Sequence, residues 1–324
     1  MADSRSTQKT ELSRWQRFVA EQGSRGGSGA RGDSGSQDGG RKPDSAFSLH
    51  LGNLMRPPTL DIDVVSHCNL NCASCCHFSP AAAPSFMLES ELDCAMAKLA
   101  MVEGAAGFFE AVCLMGGEPL LHPRLPALIR IAHERLPGAQ VRVVSNGILL
   151  ESVGSEFWEA MRASQADLLL TPYPVGIDYA ALVELAASQG IDASAGGGLS
   201  AVDEGSYFLR TPLDVEGLQD PMASFNSCPL GGRTMQLLDG KIFPCNRGAL
   251  LGILNERFGT SFAHEEGDYL VLDRIASAEE IDRFRREPHP MCRFCASSLS
   301  ERIDWHPSTV DKDEWLMRPD ERDA

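Results

Sequence analysis

The chain has 324 residues and a hydrophobic fraction of 43%, which suits one barrel-sized domain with a smaller appendage. Its formal net charge of -16 argues against a nucleic-acid partner, because phosphates need a basic surface, but is compatible with a cationic substrate or simply with solubility. No apolar run approaches the ~18 residues that cross a bilayer, and the N-terminus lacks the apolar segment of a secretory signal, so a cytoplasmic protein without membrane contact is predicted.

The first 47 residues are predicted to be a disordered tail. The stretch Gly23–Gly40 is rich in Gly, Ser, Arg and Asp with almost no apolar side chains, so it cannot bury a core. Before it, Glu11–Gln22 has the apolar spacing of one short amphipathic helix.

In residues 48–220, strand patterns alternate with helical patterns, which favours an α/β fold with a parallel sheet, open or curled into a barrel. The predicted strands are Leu60–Val65, Ala111–Met115, Val141–Ser145, Leu168–Thr171, Ile191–Ala195 and, sixth, Tyr207–Arg210. The predicted helices lie near Glu89–Met101, Leu125–Arg135, Ser155–Arg162 and Tyr179–Ser188.

Residues 221–306 have a different pattern and are predicted to form a small α+β unit. The segment Thr234–Phe243 is centred on Asp239-Gly240, a two-residue turn typical of a β-hairpin. Ser277–Glu287 begins with a capping residue and carries acidic side chains in its first turn, so it predicts a helix. The polar remainder, residues 307–324, is predicted to be a loose C-terminal tail.

The loop after the first strand holds four of the ten cysteines. Cys68, Cys72 and Cys75 are spaced C-x3-C-x2-C, and Cys76 directly follows. Cytosolic thiols stay reduced, so metal or redox chemistry is expected before disulfides. Zinc normally takes four ligands, often as two C-x2-C pairs, and adjacent cysteines rarely reach one metal. Three thiolates suit a [4Fe-4S] cluster that keeps one iron open for a ligand.

Two further turns follow predicted strands at the same end of the sheet. Gly116-Gly117-Glu118 comes after the second strand and Ser145-Asn146-Gly147 after the third. Ligands of such folds bind at the carboxyl ends of the strands, so these turns and the cysteine loop are expected to form one site.

The cysteine spacing within Cys-Asn-Leu-Asn-Cys, with the two turns in the same order, resembles the radical S-adenosylmethionine (SAM) superfamily over roughly residues 58–215. The resemblance implies a partial (β/α)6 TIM-like barrel and a [4Fe-4S] cluster on Cys68, Cys72 and Cys75 that chelates SAM. It also implies cleavage of SAM to a 5′-deoxyadenosyl radical that takes hydrogen from a substrate. The electron would come from an external donor such as flavodoxin or ferredoxin.

The same resemblance assigns contacts to SAM. Gly116, Gly117 and Glu118, followed by proline, look like the GGEP motif that helps hold the methionine amino group. Ser145 and Asn146 look like the turn that contacts ribose and carboxylate. Strand four ends in Thr-Pro-Tyr, where further contacts are usual.

One position departs from the family pattern. The aromatic residue that usually precedes the third cysteine is replaced by Ser74, so His77 or Phe78 is expected to supply the ring near adenine. The run Cys-His-Phe-Ser-Pro after the third cysteine is similar to a subset of the superfamily linked to sugar and polysaccharide metabolism.

Four cysteines lie in the last third of the chain, namely Cys228, Cys245, Cys292 and Cys295. Their C-x16-C and C-x2-C spacings, with a hairpin inside the first, resemble the twitch domain, a shortened SPASM domain. This implies an auxiliary [4Fe-4S] cluster that transfers electrons. A structural zinc on the same four residues is the alternative, and one of the four could instead be a free thiol that donates hydrogen to a substrate radical.

The remaining cysteines are expected to behave differently from one another. Cys94 and Cys113 fall within a helix and a strand and are predicted to be small core residues. Cys76 is a candidate hydrogen donor or regulatory thiol, with packing as the alternative.

Other polar residues near the motifs are candidate site residues. The histidines are expected mainly to pack around the site, although each could bond to a substrate: His67, His77 and His122. Strand order also makes three side chains candidates for the substrate cleft: Tyr173, Tyr207 and Arg233.

Three functions follow from these patterns. The first is a radical SAM oxidoreductase or epimerase that acts on a sugar, aminoglycoside or cyclitol. The second is a maturase of a ribosomal peptide, which the polar N-terminal tail disfavours because such enzymes often carry a folded leader-binding domain there. The third is a zinc- or cluster-holding scaffold without catalysis, which predicts no release of deoxyadenosine.

Overall fold

The computed structural model describes residue 50, residues 52–196 and residues 207–321. The predicted N-terminal tail and its short helix lie outside these ranges. Among the helices that the structure describes, none combines the length and apolar character required to cross a bilayer.

The strands of the described ranges are defined by the following bounds: β1 (Thr59–Val65), β2 (Ala111–Gly116), β3 (Gln140–Ser145), β4 (Asp167–Leu170), β5 (Ala193–Ala195), β6 (Tyr207–Arg210), β7 (Thr234–Leu238), β8 (Lys241–Phe243), β9 (Leu270–Val271) and β10 (Glu301–Asp304). The helices have these bounds: α1 (Glu89–Ala100), α2 (Leu125–Arg135), α3 (Ser155–Ala163), α4 (Tyr179–Ser188), α5 (Pro221–Asn226), α6 (Asn246–Ala249), α7 (Leu251–Phe258) and α8 (Ala278–Arg285).

The main sheet has eight strands in the order β5-β4-β3-β2-β1-β7-β8-β9. The pairs from β5 through β1 to β7 are parallel, whereas β8 pairs antiparallel with both β7 and β9. The chain is therefore a mixed α/β protein with a mostly parallel sheet, as the alternating pattern predicted.

The prediction of Tyr207–Arg210 as a sixth strand of the parallel sheet is wrong. Tyr207–Arg210 is a strand, but it pairs antiparallel with β10 in a separate two-stranded sheet. The edge of β1 is occupied by β7, whose residues Thr234 to Leu237 pair with Thr59 to Ile62. The hairpin assigned from sequence to the C-terminal unit thus continues the main sheet, because its first strand satisfies the backbone groups of β1.

The hairpin turn and the last helix form at the predicted places. Asp239 and Gly240 both have positive φ, 49° and 68°, as a two-residue turn of this type requires. Helix α8 begins after Ser277, although the serine side chain makes no capping bond.

The two faces of the main sheet differ in character. Leu60, Ile62 and Val64 of β1 belong to the apolar core shared with the helices. Side chains alternate along a strand, so Asp61 and Asp63 lie on the opposite, inner face. One register row crosses that face and contains Gln236, Asp61, Cys113, Arg142 and Asp167.

The inner row is buried at Gln236, Asp61 and Cys113, whereas Arg142 and Asp167 are half-buried and pair with each other. Arg142 donates two bonds to Asp167, at 2.8 and 2.7 Å. Burial raises the pKa of Asp61 to about 6. Cys113 is buried, as predicted, but Cys94 is exposed on α1, so the prediction that Cys94 is a core residue is wrong. Its position on the solvent side of the helix is the reason, since Leu92, Met96 and Leu99 form the buried side.

A second apolar cluster joins the end of the chain to the cysteine loop. It includes Phe78, Phe243, Met291, Phe294 and Trp315. The Leu213 N–H donates to the Trp315 carbonyl, and the Met317 N–H donates to the Leu213 carbonyl. The predicted loose tail is therefore wrong for residues 307–321, because Trp315 is only 1% exposed and anchors the segment.

Candidate active site

The cysteine loop leaves β1 and turns tightly back on itself. Asn71, Ser74 and Phe78 all adopt left-handed backbone conformations, with φ of 51°, 55° and 53°. The Ser74 hydroxyl donates to the Glu314 carbonyl at 2.8 Å, so the position that lacks the expected aromatic residue anchors the C-terminal segment instead.

The three spaced thiols are brought close enough to influence one another. Burial, with a smaller contribution from the neighbouring Cys75 and Cys68 thiols, raises the pKa of Cys72 to about 12. Burial also raises the pKa of Cys68 and Cys75. The thiols are protonated at neutral pH in the absence of a metal, so a bound metal would have to displace those protons.

The glycine pair after β2 is required by backbone contact with the cysteine loop. A Cβ on Gly117 would lie 1.9 Å from the His67 carbonyl oxygen, and one on Gly116 would lie 2.3 Å from that of Val65. The Gly117 N–H donates to the Val65 carbonyl at 2.8 Å. The pair is glycine because the protein's own backbone approaches it this closely.

Glu118 joins the second and third turns. It is 1% exposed and accepts bonds from the Ser145 hydroxyl at 2.7 Å, the Leu120 N–H at 3.0 Å and the Asn146 N–H at 2.9 Å. Burial raises the pKa of Glu118, while these donors work to lower it. Both carboxylate oxygens are thus already engaged, and the carboxylate fixes the relative position of the two turns.

Asn146 extends this connection to the cysteine loop. Its Nδ2 donates to Asn69 Oδ1 at 2.7 Å and lies 3.7 Å from Cys68 Sγ. The Tyr179 hydroxyl donates to the Asn146 carbonyl at 3.1 Å. The three predicted turns therefore meet at the carboxyl ends of β1, β2 and β3.

An aromatic side chain that the sequence analysis missed bonds to Cys72. Trp305 Nε1 donates to Cys72 Sγ at 3.1 Å, and the Trp305 ring contacts the Tyr173 ring edge-on. Tyr173 stacks on Phe208, with ring centroids 5.5 Å apart. Tyr173 was expected in the cleft from strand order, but Trp305 follows β10, far away in sequence, and carries no local signal of proximity.

Phe78 does not occupy an open position beside the loop. It is fully buried and packs edge-to-face against Trp315, with centroids 6.4 Å apart. The Trp315 Nε1 donates to the Cys75 carbonyl at 2.9 Å. The expectation that Phe78 supplies the ring near adenine is corrected, because its surface is already covered by protein.

Cys76 and His77 form a half-buried polar group behind the loop. His77 Nδ1 lies 3.0 Å from Asp63 Oδ2, and Asn246 Nδ2 lies 3.2 Å from His77 Nε2 and 3.5 Å from Cys76 Sγ. Burial tends to raise the pKa of Cys76, but His77, Asn246 and Arg247 outweigh it, and the net shift is downward. Burial tends to lower the pKa of His77, but Asp63 and Cys76 outweigh it and raise the value.

The other candidate residues have structural partners. His122 uses both ring nitrogens, one with the Met87 carbonyl and one with the Arg124 N–H. His67 packs edge-on against Phe86, at 5.0 Å between centroids. The backbone of Tyr207 pairs with that of Asp304 in the two-stranded sheet.

Arg233 does not reach the predicted cleft. It donates to the Pro57 carbonyl and to Glu110, at 2.7 and 2.8 Å. It immediately precedes β7, whose first residue pairs with the first residue of β1, so Arg233 lies at the amino end of the sheet. The site lies at the carboxyl end, and the prediction is therefore wrong.

The second set of four thiols also converges, in a different environment. Burial, with contributions from neighbouring thiols of the set, raises the pKa of Cys228 to about 12. Burial raises the pKa of Cys245 to about 11, and it also raises the pKa of Cys292 and Cys295. The Gly248 N–H donates to Cys245 Sγ at 3.3 Å.

The donor chemistry of both sets suits iron–sulfur clusters. Among the side chains that the structure describes, no three of His, Cys, Asp or Glu are arranged as joint ligands to a metal ion. A [4Fe-4S] cluster instead takes each thiolate at a separate iron, and N–H groups directed at the sulfurs are typical partners. Trp305 and Asn146 supply such groups at the first set, and backbone N–H groups supply them at the second.

No protein-family model matches the chain, and no curated protein matches it. Among solved structures, BtrN in complex with AdoMet (SAM) and 2-DOIA is 14% identical with a TM-score of 0.46, over 73% of this chain and 92% of that chain. Native anSMEcpe with bound AdoMet is 20% identical with a TM-score of 0.33, over 43% of each chain. Streptococcus suis SuiB bound to precursor peptide SuiA is 12% identical with a TM-score of 0.35, over 89% of this chain and 84% of that one.

Proposed function

We propose that this chain is a radical SAM enzyme whose [4Fe-4S] cluster is held by Cys68, Cys72 and Cys75. The observation that carries the proposal is the connection of the three turns by Glu118, which accepts bonds from Ser145 and from the Asn146 backbone beside the thiol loop. Three thiolates leave one iron free for an exogenous ligand. When bound, the cluster supplies the electron that cleaves SAM to a 5′-deoxyadenosyl radical.

The chain's own residues would hold SAM in one orientation. Backbone groups of Gly116 and Gly117, together with the turn at Ser145 and Asn146, form the polar side of the site. Glu118 acts by keeping these groups in register, since its own oxygens accept bonds from the chain. Polar groups fixed in this way need no reorganisation when SAM binds.

The substrate is proposed to be a small polar molecule that enters over the inner face of the sheet. That face carries Asp61, Arg142 and Asp167 in one row, with Asp63 one step nearer the thiol loop. Carboxylates and a guanidinium suit hydroxyl and amino groups better than an apolar ligand. We therefore propose dehydrogenation or epimerisation of a sugar, aminoglycoside or cyclitol, with a short peptide substrate as the alternative.

The second thiol set is proposed to hold an auxiliary [4Fe-4S] cluster in the unit formed by residues 221–306, beside a core of residues 48–220. Four thiolates would ligate that cluster fully, so its proposed role is to accept an electron from the substrate radical. An external donor such as flavodoxin or ferredoxin would reduce the first cluster, and a cytoplasmic location would keep the thiols reduced.

Anaerobic reconstitution followed by iron counting and a 5′-deoxyadenosine assay tests the proposal. We expect iron for two clusters per chain and release of deoxyadenosine from SAM and dithionite. Stoichiometric zinc with no SAM cleavage would overturn it. A mixture of deuterated cyclitols and amino-sugars then identifies the substrate class, because abstraction transfers deuterium to deoxyadenosine. Deuterium transfer only from a peptide would favour the alternative.

A further inference from the structure

An aromatic donor from outside the thiol loop reaches the Cys72 sulfur. Trp305 follows β10 and donates its indole N–H to Cys72 Sγ at 3.1 Å. The Tyr173 ring, which follows β4, contacts the Trp305 ring edge-on, with centroids 6.5 Å apart. Cys72 is itself buried, so this bond acts where water screens it little.

The other two thiols of the loop lack such partners. Cys68 receives the Leu70 N–H at 3.4 Å and a long contact of 3.7 Å from Asn146 Nδ2. Near Cys75, the Trp315 indole N–H donates to the backbone carbonyl and not to the sulfur. Cys72 is thus distinguished from its neighbours by a short side-chain donor.

The backbone around Trp305 is held to the loop by several further bonds. The Ala73 N–H donates to the His306 carbonyl at 3.0 Å, and the Ser308 N–H donates to the Asn71 carbonyl at 2.7 Å. Cys72 and Pro307 also form an isolated antiparallel bridge. These backbone bonds therefore fix the position of the Trp305 indole relative to the Cys72 sulfur.

From this geometry we infer that Trp305 is a positioning residue that sets the reduction potential of the first cluster through its N–H bond to the Cys72 sulfur. The inference rests on the proposed function, since it needs a cluster at this loop. A donor directed at a ligating sulfur stabilises the more negative, reduced state of the cluster and so raises its potential. Trp305 would thereby ease the one-electron reduction that precedes SAM cleavage.

Trp305→Phe tests the inference because it keeps an aromatic ring and removes the N–H. We expect full iron content and a lower midpoint potential for the cluster whose electron paramagnetic resonance signal changes when SAM is added. Loss of a hydrogen bond of ordinary strength to a charged group predicts that, at a fixed solution potential, the ratio of reduced to oxidised cluster falls about tenfold. For a one-electron couple this corresponds to a midpoint potential about 59 mV lower.

Trp315→Phe is the matched control, since that indole donates to the Cys75 carbonyl and not to a sulfur. Its midpoint potential should stay close to that of the wild type. A second readout uses protein with 15N-labelled indole, in which a nitrogen coupling to the reduced cluster should be present and should vanish in Trp305→Phe.

The outcomes separate the two proposals. A wild-type chain that holds no SAM-responsive cluster overturns the proposed function itself. A wild-type cluster whose potential is unchanged by Trp305→Phe, or shifted equally by Trp315→Phe, overturns the role of Trp305. If Trp305→Phe loses iron, the 15N-indole coupling of the wild-type cluster decides, and its absence overturns the inference.

Discussion

The two thiol sets of this chain are built in opposite ways. Three thiols of the first set lie on one loop of eight residues, Cys68–Cys75, and are met by polar side chains from distant turns, such as Asn146 and Trp305. The four thiols of the second set come from three segments, and two of them, Cys245 and Cys295, pack against the apolar cluster that contains Phe243 and Phe294. A loop with polar donors suits a site that exchanges ligands, whereas four thiols in an apolar setting suit a closed one.

The sets are nevertheless connected by the protein between them. Phe78 and Trp315 extend the second apolar cluster to the first loop. Asn246, next to Cys245, bonds to both Cys76 and His77. A change at one set can therefore be transmitted to the other through these contacts, which makes the contrast between the sets testable.

Removal of one ligand from each set should have the largest effect and should differ in kind. Cys72→Ala is expected to reduce SAM cleavage to background, because two thiolates cannot hold the first cluster in a defined position. Cys292→Ala is expected to lower iron content while the SAM-responsive signal persists. Iron analysis, paramagnetic resonance and the deoxyadenosine assay measure this. Equal loss of the signal in both variants would contradict the separation of the sets.

Substitution of one glycine beside each thiol set by alanine should destabilise the chain more where the added methyl group meets backbone than where it meets a flexible side chain. A Cβ at Gly117 meets the His67 carbonyl at 1.9 Å, whereas one at Gly248 meets the terminal methyl of Met291 at 1.5 Å. The backbone at His67 cannot move aside, whereas the end of the Met291 side chain can. We therefore expect the unfolding free energy to fall by about 3 kcal/mol in Gly117→Ala and by about 1 kcal/mol in Gly248→Ala. Urea denaturation of the metal-free chain measures both, and a larger loss for Gly248→Ala would reverse the interpretation.

Glu118→Gln should weaken the first site without affecting the second. The new amide would direct N–H groups at the Asn146 N–H, so one buried bond is lost and a donor is left unpaired. We expect a loss of about 2 kcal/mol in unfolding free energy and reduced SAM cleavage. Glu89→Gln is the control, because its exposed pair with Arg124 contributes under about 1 kcal/mol. Unchanged stability of Glu118→Gln would show that the carboxylate does not hold the turns together.

Thiol reactivity should show the smallest difference between the sets. Cys76 has a lowered pKa, whereas burial raises the pKa of Cys228 to about 12. The thiolate is the reactive form, and a lowered pKa keeps it populated as the pH falls. At pH 8 iodoacetamide should modify Cys76 at least tenfold faster than Cys228, since a difference of one pKa unit, about 1.4 kcal/mol, changes the population of thiolate about tenfold. Mass spectrometry of the metal-free chain measures the rates, with exposed Cys94 as the reference, and equal rates would contradict the assignment.

The sequence predicted those features that depend on local pattern. The strands before the three turns, the helices between them and the Asp239-Gly240 hairpin all form close to the expected bounds, because apolar periodicity and turn chemistry act over a few residues. The convergence of the three turns followed from the parallel order of their strands.

What sequence missed depends on contacts between distant segments. Tyr207–Arg210 pairs with β10 outside the main sheet, and β7 fills the edge of β1; neither pairing could be inferred from a local sequence pattern. Trp315 is buried although the segment that precedes it, Asp311–Glu314, is charged. The side-chain partners of Cys72 and of Phe78 likewise come from the far end of the chain, so the environment of the thiols could not be derived from their spacing.

The bonds from Trp305 and Glu314 to the cysteine loop have a consequence for the order of biosynthesis. These partners follow Cys72 and Ser74 by 233 and 240 residues. At about 5–20 residues per second, translation of that interval takes roughly 12 to 47 seconds. The nascent loop leaves the ribosome without its covering segment, so its thiols are open to oxidants and to metal-delivery proteins during that interval. The bonds that fix their environment form only after residues 305–315 have been made.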